Sequence, residues 1–171
     1  MQKKIIYLDR DGVINEDFGY VYQIENFKFI NSVFEACREF LKLGFEIIIV
    51  TNQSGIGRGY YTVEEFKTLS KYMLDEFKKE GIDILKIYFC PHNPEENCTC
   101  RKPKNGMILQ SLNDFSIDLA NSWLIGDKES DIECAKNGKI RNKVLINKDK
   151  ETNSEFFVAK NLKDSLKYIK G

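Results

Sequence analysis

Hydrophobic residues recur along the chain in short runs that are separated by stretches of mixed polarity. Residues 5–8 and 45–50 are largely apolar and rich in β-branched side chains, and polar residues follow both runs. Such runs are typical of strands that are buried on both faces of a parallel sheet. Shorter runs of the same kind occupy residues 87–89, 123–125 and 144–146. The pattern therefore predicts five strands.

The stretches between these runs carry apolar residues at helical spacing, which predicts helices over 33–41, 62–77, 107–115 and 130–137. The second helix opens with Thr62-Val63-Glu64-Glu65, the form of a capping box. Residues 148–160 are polar and weakly patterned, so we expect a loop there, followed by a last helix through Leu162, Leu166 and Ile169.

Strands that alternate with helices indicate βαβ units. The predicted fold is therefore α/β, a Rossmann-like parallel sheet with helices on both faces. The chain has 171 residues, close to the usual size of one domain, and no internal repeat or Pro/Gly-rich linker divides it. We expect a single domain over residues 1–171.

The charges balance at 26 basic and 26 acidic residues, so the protein lacks the net positive field that gathers nucleic acid or an anionic membrane. The apolar stretch near the amino terminus is too short for a secretory signal or a membrane span. These features predict a cytoplasmic monomer that binds neither nucleic acid nor membrane, and any anionic substrate must be held by local groups.

Polar residues collect where the predicted strands end, which is where open parallel sheets bind ligands. The first strand leads into Asp9-Arg10-Asp11-Gly12, and the fourth leads into Gly126-Asp127. Asp9 and Asp127 offer the hard oxygen ligands that Mg²⁺ accepts. Asp9 could then attack a phosphorus atom while Asp11 transfers protons. Taken alone, Asp9 and Asp11 could equally be a helix cap and a turn carboxylate.

Two further segments supply groups suited to a phosphate. Thr51 and the backbone of Asn52 follow the second strand and could donate hydrogen bonds to phosphoryl oxygens. Arg101 and Lys102 could neutralise charge in the transition state, although a solvated basic pair is the alternative reading. The sequence thus gathers phosphate-binding groups around the acidic pair.

Three cysteines lie close to the only histidine of the chain. The residues are Cys90, His92, Cys98 and Cys100. Three thiolates and an imidazole form the ligand set of a closed tetrahedral zinc site. With no open coordination position, the zinc would brace the 90–103 loop rather than catalyse. Cys37 and Cys134 fall within helical patterns and are expected in the core.

Together these motifs resemble the haloacid dehalogenase superfamily of phosphohydrolases, and within it the D-glycero-D-manno-heptose 1,7-bisphosphate 7-phosphatases. The resemblance spans roughly residues 5 to 146. The segments that carry it are 9–12, 51–59, 90–92, 98–103 and 126–128. It implies a small-molecule sugar phosphate substrate, a heptose-nucleotide pathway for surface polysaccharide, and a fold without a large cap domain.

The resemblance also implies a role for each matching residue. Asp9 would be the nucleophile and Asp11 the general acid/base, and Mg²⁺ would lie between Asp9, the Asp11 carbonyl and Asp127, while Thr51, Arg101 and Lys102 would steady the phosphoryl group. The zinc ligands would match a structural zinc of the family. Substrate-binding residues would be Asp9, Arg10, Asp11, Asp17, Phe18, Gly19, Tyr20, Thr51, Asn52, Gln53, Ser54, Arg58, Arg101 and Lys102.

Other functions remain compatible with these residues. Histidinol-phosphate phosphatase domains share the aspartates and the zinc loop, and related enzymes remove 3′-phosphates from DNA ends, which the neutral charge disfavours. A zinc-stabilised module that binds phosphate without hydrolysing it is the alternative from another class. The intact Asp9, Asp11 and Asp127 favour the enzyme.

Overall fold

The computed structural model describes all residues from 1 to 171. Six parallel strands form one sheet in the order β3-β2-β1-β4-β5-β6. The strands are β1 (Lys4–Leu8), β2 (Phe45–Asn52), β3 (Ile84–Cys90), β4 (Trp123–Gly126), β5 (Asn142–Ile146) and β6 (Phe157–Ala159). The helices are α1 (Val33–Lys42), α2 (Ser54–Gly57), α3 (Val63–Lys79), α4 (Gly106–Asp114) and α5 (Glu129–Asn137). The predicted α/β class is confirmed, and no large cap domain interrupts the chain.

Two apolar layers lie on opposite faces of the sheet because successive side chains of a strand point to opposite sides. Ile6 and Leu8 of β1 belong to the larger layer, which packs against α1 and α3. Ile5 and Tyr7 belong to the smaller one, which packs against α4 and α5. The central strand β1 is therefore buried on both faces, and the loop that follows it is held firmly from both sides.

The start of α3 agrees with its sequence signal. Thr62 Oγ1 accepts a hydrogen bond from the Glu65 backbone N–H at 3.1 Å, and the Glu65 carboxylate accepts one from the Thr62 N–H. Cys37 and Cys134 are both fully buried in the core, as expected. None of the helices has both the length and the apolar character that crossing a bilayer requires.

The carboxyl-terminal region differs from the sequence-based expectation. The predicted loop contains strand β6, in which Phe157 stacks between Trp123 and Tyr168 with ring centroids 5.7 and 4.5 Å away. The predicted last helix is only a short 3₁₀ turn, Asp164–Lys167. Leu162 and Ile169 are nonetheless buried, so the apolar spacing identified the buried side chains but not the backbone conformation.

Candidate active site

Three loops meet at the carboxyl ends of the central strands. Strand β1 pairs with β2 on one side and β4 on the other, with Leu8 opposite Ile49 and Ile125. This register brings the residues that follow all three strands to one edge of the sheet. Asp9 follows β1, Thr51 lies near the end of β2, and Asp127 follows β4, as the sequence pattern predicts.

A buried cluster of charges lies at this edge. Carboxylate oxygens of Asp9, Asp127 and Asp131 all lie within 4.8 Å of one another. Lys102 Nζ donates hydrogen bonds to Asp9 Oδ1 at 2.9 Å, to Asp131 Oδ1 at 2.6 Å and to the Val50 carbonyl at 2.9 Å. The Lys102 side chain is only 3% exposed. One buried ammonium group thus pairs with the carboxylates of Asp9 and Asp131, and the partly buried Asp127 carboxylate lies close to both.

Burial and mutual repulsion shift the titration of this cluster. Desolvation raises the pKa of Asp9, the Asp131 carboxylate raises it further, and Lys102 opposes both. Burial also raises the pKa of Asp127. For Lys102, burial would lower the pKa, but Asp131 and Asp9 raise it well above its ordinary value, so the ammonium group stays charged.

The residues of this cluster fit a divalent cation. Asp127 Oδ1 is buried and has no hydrogen-bond partner, so it is an acceptor that a metal ion would satisfy. Gly12 has φ +87° and lies directly against Asp127, where a Cβ would overlap the carboxylate. The backbone therefore passes close to the oxygen ligands. Hard carboxylate oxygens with excess negative charge are the ligand type that Mg²⁺ prefers.

The Asp11 side chain is not part of the carboxylate cluster. Asp11 Oδ1 accepts hydrogen bonds from Arg10 Nη2 and Asn15 Nδ2, each at 3.0 Å. Asp11 Oδ2 accepts from Arg10 Nε at 3.2 Å and from Gln53 Nε2 at 3.1 Å. Because the carboxylate is held by these donors, only the Asp11 carbonyl is free to join a metal site, which is how the resemblance assigned it.

The backbone of Lys102 is held by Asn52, the last residue of β2. The Asn52 amide donates to the Lys102 carbonyl at 3.2 Å, and its Oδ1 accepts from the Lys102 N–H at 3.0 Å. The neighbouring Arg101 has a buried Nη1 with no partner. A guanidinium nitrogen without a partner is suited to binding an anion.

The cysteine segment forms a compact ligand group. Ligand atoms of Cys90, His92, Cys98 and Cys100 lie within 4.8 Å of one another, and none of the cysteines is in a disulfide. The Cys90 Sγ lies 3.5 Å from both His92 Nδ1 and Cys98 Sγ, and His92 Nδ1 lies 3.3 Å from Cys100 Sγ. The Sγ atoms of Cys90 and Cys100 are closer, at 2.9 Å. Four ligand atoms this close together could surround one ion at the bond lengths of about 2.0–2.3 Å that zinc forms.

One of the three thiols is acidic, whereas burial raises the pKa values of Cys90 and Cys100. Burial acts to raise the pKa of Cys98, but backbone N–H donation from Arg101 and contacts with the neighbouring thiols lower it to about 6. A thiol that ionises below neutral pH is ready to ligate zinc. The loop is tied to the strand-end segment because the Gln53 N–H donates to the Cys90 carbonyl and the Gly57 N–H donates to the Pro91 carbonyl, each at 2.8 Å.

The chain is similar to proteins of a known family. A HAD-hydrolase-like family model matches residues 99–164. A D-glycero-alpha-D-manno-heptose-1,7-bisphosphate 7-phosphatase of Campylobacter jejuni is 48% identical, over 99% of this chain and 98% of its own length. The D-glycero-beta-D-manno-heptose-1,7-bisphosphate 7-phosphatase of Helicobacter pylori strain J99 is 45% identical, over 98% of this chain and 97% of its own. The chain belongs to the D-glycero-D-manno-heptose-1,7-bisphosphate 7-phosphatase family.

The members of this heptose bisphosphatase family are phosphoric monoester hydrolases of the haloacid dehalogenase superfamily, and so is this protein. The fold agrees as well. A crystal structure of a D,D-heptose 1,7-bisphosphate phosphatase from B. bronchiseptica, complexed with magnesium and phosphate, superposes with a TM-score of 0.87 at 25% identity and covers 96% of this chain and 97% of that one.

The other residues that the family resemblance marks for substrate binding lie around the rim. Gly19 N–H donates to Asp17 Oδ1 at 3.0 Å, and Asp17 Oδ2 lies 4.0 Å from the Nζ of Lys128, the residue after Asp127. Phe18 and Tyr20 are exposed, and Tyr20 meets the Tyr60 ring edge-on at 4.9 Å.

Two of the marked arginines differ in exposure. Arg10 is 2% exposed and points inward, where its Nη2 donates to the Val21 carbonyl at 2.7 Å as well as to Asp11. Arg58 is exposed, with its Nε 3.4 Å from Ser54 Oγ. The side chain of Arg58 therefore faces solvent, whereas that of Arg10 supports Asp11.

Asp131 is a site residue that the sequence reasoning missed. It lies in the first turn of α5, four residues after Asp127, and it is 1% exposed. Its Oδ2 accepts from the Lys128 N–H at 3.1 Å, which caps the helix, while Oδ1 holds Lys102. The available signal was an acidic residue three positions after Lys128, from where a side chain can accept the N–H of the residue that precedes the helix.

Proposed function

We propose that the protein removes the 7-phosphate of D-glycero-D-manno-heptose 1,7-bisphosphate through a phosphorylated Asp9. The observation that supports this most strongly is the buried contact between Asp9 and Lys102 at a strand end. It places a carboxylate next to a fixed positive charge where a phosphate would enter. Near-full-length identity to relatives with this named activity supports the choice of substrate.

The first step transfers the phosphoryl group to the protein. A carboxylate oxygen of Asp9 attacks phosphorus and the bond from phosphorus to the sugar oxygen breaks. Asp11, in its acid form, gives its proton to that leaving oxygen. Thr51, Arg101 and Lys102 hold the phosphoryl oxygens and offset their growing charge.

The second step releases phosphate. The Asp11 carboxylate takes a proton from water, the water oxygen attacks phosphorus, and the bond from phosphorus to the Asp9 oxygen breaks. Magnesium, held by Asp9, the Asp11 carbonyl and Asp127, would shield the charge between the phosphate and the carboxylates. Asp9 and Asp11 then return to their starting states, and the product serves synthesis of a nucleotide-linked heptose for surface polysaccharide.

Phosphate release from both anomers of the heptose bisphosphate tests this proposal. We expect release that requires Mg²⁺, with phosphorus NMR showing that the 7-phosphate and not the 1-phosphate is lost. Asp9→Asn should abolish turnover, whereas Asp83→Asn, which changes an exposed aspartate before β3, should not change it. Turnover retained by Asp9→Asn would show that the mechanism is wrong. Faster phosphate release from histidinol phosphate than from the heptose bisphosphate would show that histidinol phosphate is the preferred substrate.

We also propose that Cys90, His92, Cys98 and Cys100 bind one structural zinc ion. The support is the closed set of four ligands and the acidic Cys98 thiol. Metal analysis should find about one zinc per chain, and a chelator should lower the melting temperature. Cys98→Ser should lose the zinc and Thr99→Ser should keep it. A zinc-free protein that melts at the same temperature with and without chelator would refute this assignment.

A further inference from the structure

The side-chain amide of Gln53 connects the two sides of the site. Gln53 is 3% exposed, and its Nε2 donates to Asp11 Oδ2 at 3.1 Å and to Thr51 Oγ1 at 2.8 Å. Its Oε1 accepts the hydroxyl hydrogen of Tyr61. Because both ends of the amide are paired, its orientation is fixed, with the NH₂ group facing Asp11 and Thr51.

Tyr61 is itself held rigidly. It is 4% exposed, and its ring stacks on Tyr22 with centroids 5.1 Å apart and planes 7° apart. Gly55 also lies against the Tyr61 ring, so closely that a Cβ at this position would overlap it. Burial raises the pKa of Tyr61 to about 12, so the hydroxyl keeps its proton near neutral pH and donates it to Gln53.

Gln53 is the only residue outside the turn that follows β1 whose side chain donates a hydrogen bond to the Asp11 carboxylate. The other donors, Arg10 and Asn15, belong to the same short turn as Asp11. They can fix the shape of that turn but cannot fix its distance from Thr51. The Gln53 amide does so because it donates to both residues at once.

We propose that Tyr61 is a positioning residue for the hydrolysis, which acts by fixing Gln53 and thereby the place of the Asp11 carboxylate relative to Thr51. The inference rests on the proposed function, in which Asp11 protonates the leaving oxygen beside a phosphoryl group held by Thr51. Proton transfer requires the two heavy atoms to be about 2.6–3.2 Å apart. A displacement of about 1 Å can cost about 100-fold in rate.

Leaving-group dependence separates this role from a merely structural one. A sugar alcohol leaves poorly and requires a proton from Asp11, whereas 4-nitrophenolate leaves well without one. Tyr61→Phe keeps the ring and its stacking but leaves Gln53 Oε1 without a donor. We expect kcat/KM for the heptose bisphosphate to fall about tenfold, and that for 4-nitrophenyl phosphate to fall less than about twofold.

A second variant and a reference complete the test. Gln53→Leu removes the link altogether, so its loss on the heptose bisphosphate should be larger, on the order of 100-fold, with the same dependence on the leaving group. Asp11→Asn gives the pattern expected when the acid is absent. Tyr72→Phe is the matched control, because Tyr72 is a half-buried tyrosine of α3 whose hydroxyl makes no hydrogen bond.

The inference would be overturned if a variant lost kcat/KM equally on the two substrates. It would also be overturned if neither Tyr61→Phe nor Gln53→Leu lowered kcat/KM. The proposed function would stand in both cases. Melting temperatures show whether each variant is folded, and Tyr61→Phe decides alone if Gln53→Leu is not. A wild-type protein that hydrolyses neither substrate would instead refute the proposed function, and the role of Tyr61 with it.

Discussion

Replacing the buried Lys102 with methionine should destabilise the protein strongly. Methionine has a similar length but no charge and no donor. The variant leaves Asp9 Oδ1, Asp131 Oδ1 and the Val50 carbonyl without the ammonium group that pairs all three. The Lys102 and Asp131 side chains are only 3% and 1% exposed, so water cannot take its place.

The magnitude follows from this burial. Removing one partner of a buried ion pair costs about 3–5 kcal/mol, because the remaining charge is left uncompensated in a poorly solvated space. For a domain of this size, each 1 kcal/mol lowers the melting temperature by about 2–4 °C. We therefore expect Lys102→Met to melt about 6–20 °C below the wild type in metal-free buffer at neutral pH.

Urea denaturation and calorimetry measure the difference directly. The matched control is Lys71→Met, which breaks a pair with Asp75 on the surface of α3, where the side chains are 77% and 53% exposed, and should cost less than about 0.5 kcal/mol. In the double variant Lys102→Met/Asp131→Asn, about 0.5–3 kcal/mol should return, because one uncompensated charge is gone. A cost for Lys102→Met no larger than that of the control would refute the reasoning.

Three further predictions concern residues outside the site. Thr62→Ala removes the acceptor of the Glu65 N–H at the start of α3 and should cost about 1 kcal/mol in urea denaturation; no change would show that the cap contributes nothing. Phe77→Ala, at a fully buried position, should cost about 3–5 kcal/mol in the same assay, and a loss below 1 kcal/mol would contradict this. The hydrogen bond from Lys86 lowers the pKa of Asp114 below 3.8, so its stabilisation is present above pH 3.8 and is lost as the pH falls through the folded-state pKa. The melting temperatures of Asp114→Asn and wild type should accordingly differ at pH 6 and converge in acid, and a pH-independent gap would exclude this cause.

Much of the fold could be predicted because its central strands are buried and mostly apolar. The five predicted strands all occur, since a short, β-branched apolar run such as 45–50 is buried on both faces of a parallel sheet. Strand β6 could not be predicted from local pattern, because it has three residues and depends on the stacking of Phe157 with Trp123 and Tyr168. Both partners lie outside the short segment whose pattern of apolar residues is used to predict a strand.

The same distinction applies to the site. The sequence predicts that Asp9, Thr51 and Asp127 lie at one site, because parallel strands end at one edge of the sheet. The sequence motif predicts that Lys102 binds the phosphoryl group. In the structure its ammonium group also pairs with Asp9 and Asp131. That contact depends on how a long loop folds back, which residue spacing does not determine.

The bonds between the strand-end segment and the cysteine loop also restrict how the site can change over generations. Gln53 and Gly57 donate from their backbones to Cys90 and Pro91, and Asn52 pairs with the backbone of Lys102. An insertion or deletion in either segment would break bonds in the other, so both should keep their lengths. The exposed 17–20 turn has few such ties. New substrate preferences should therefore arise first by changes in the length and side chains of that turn.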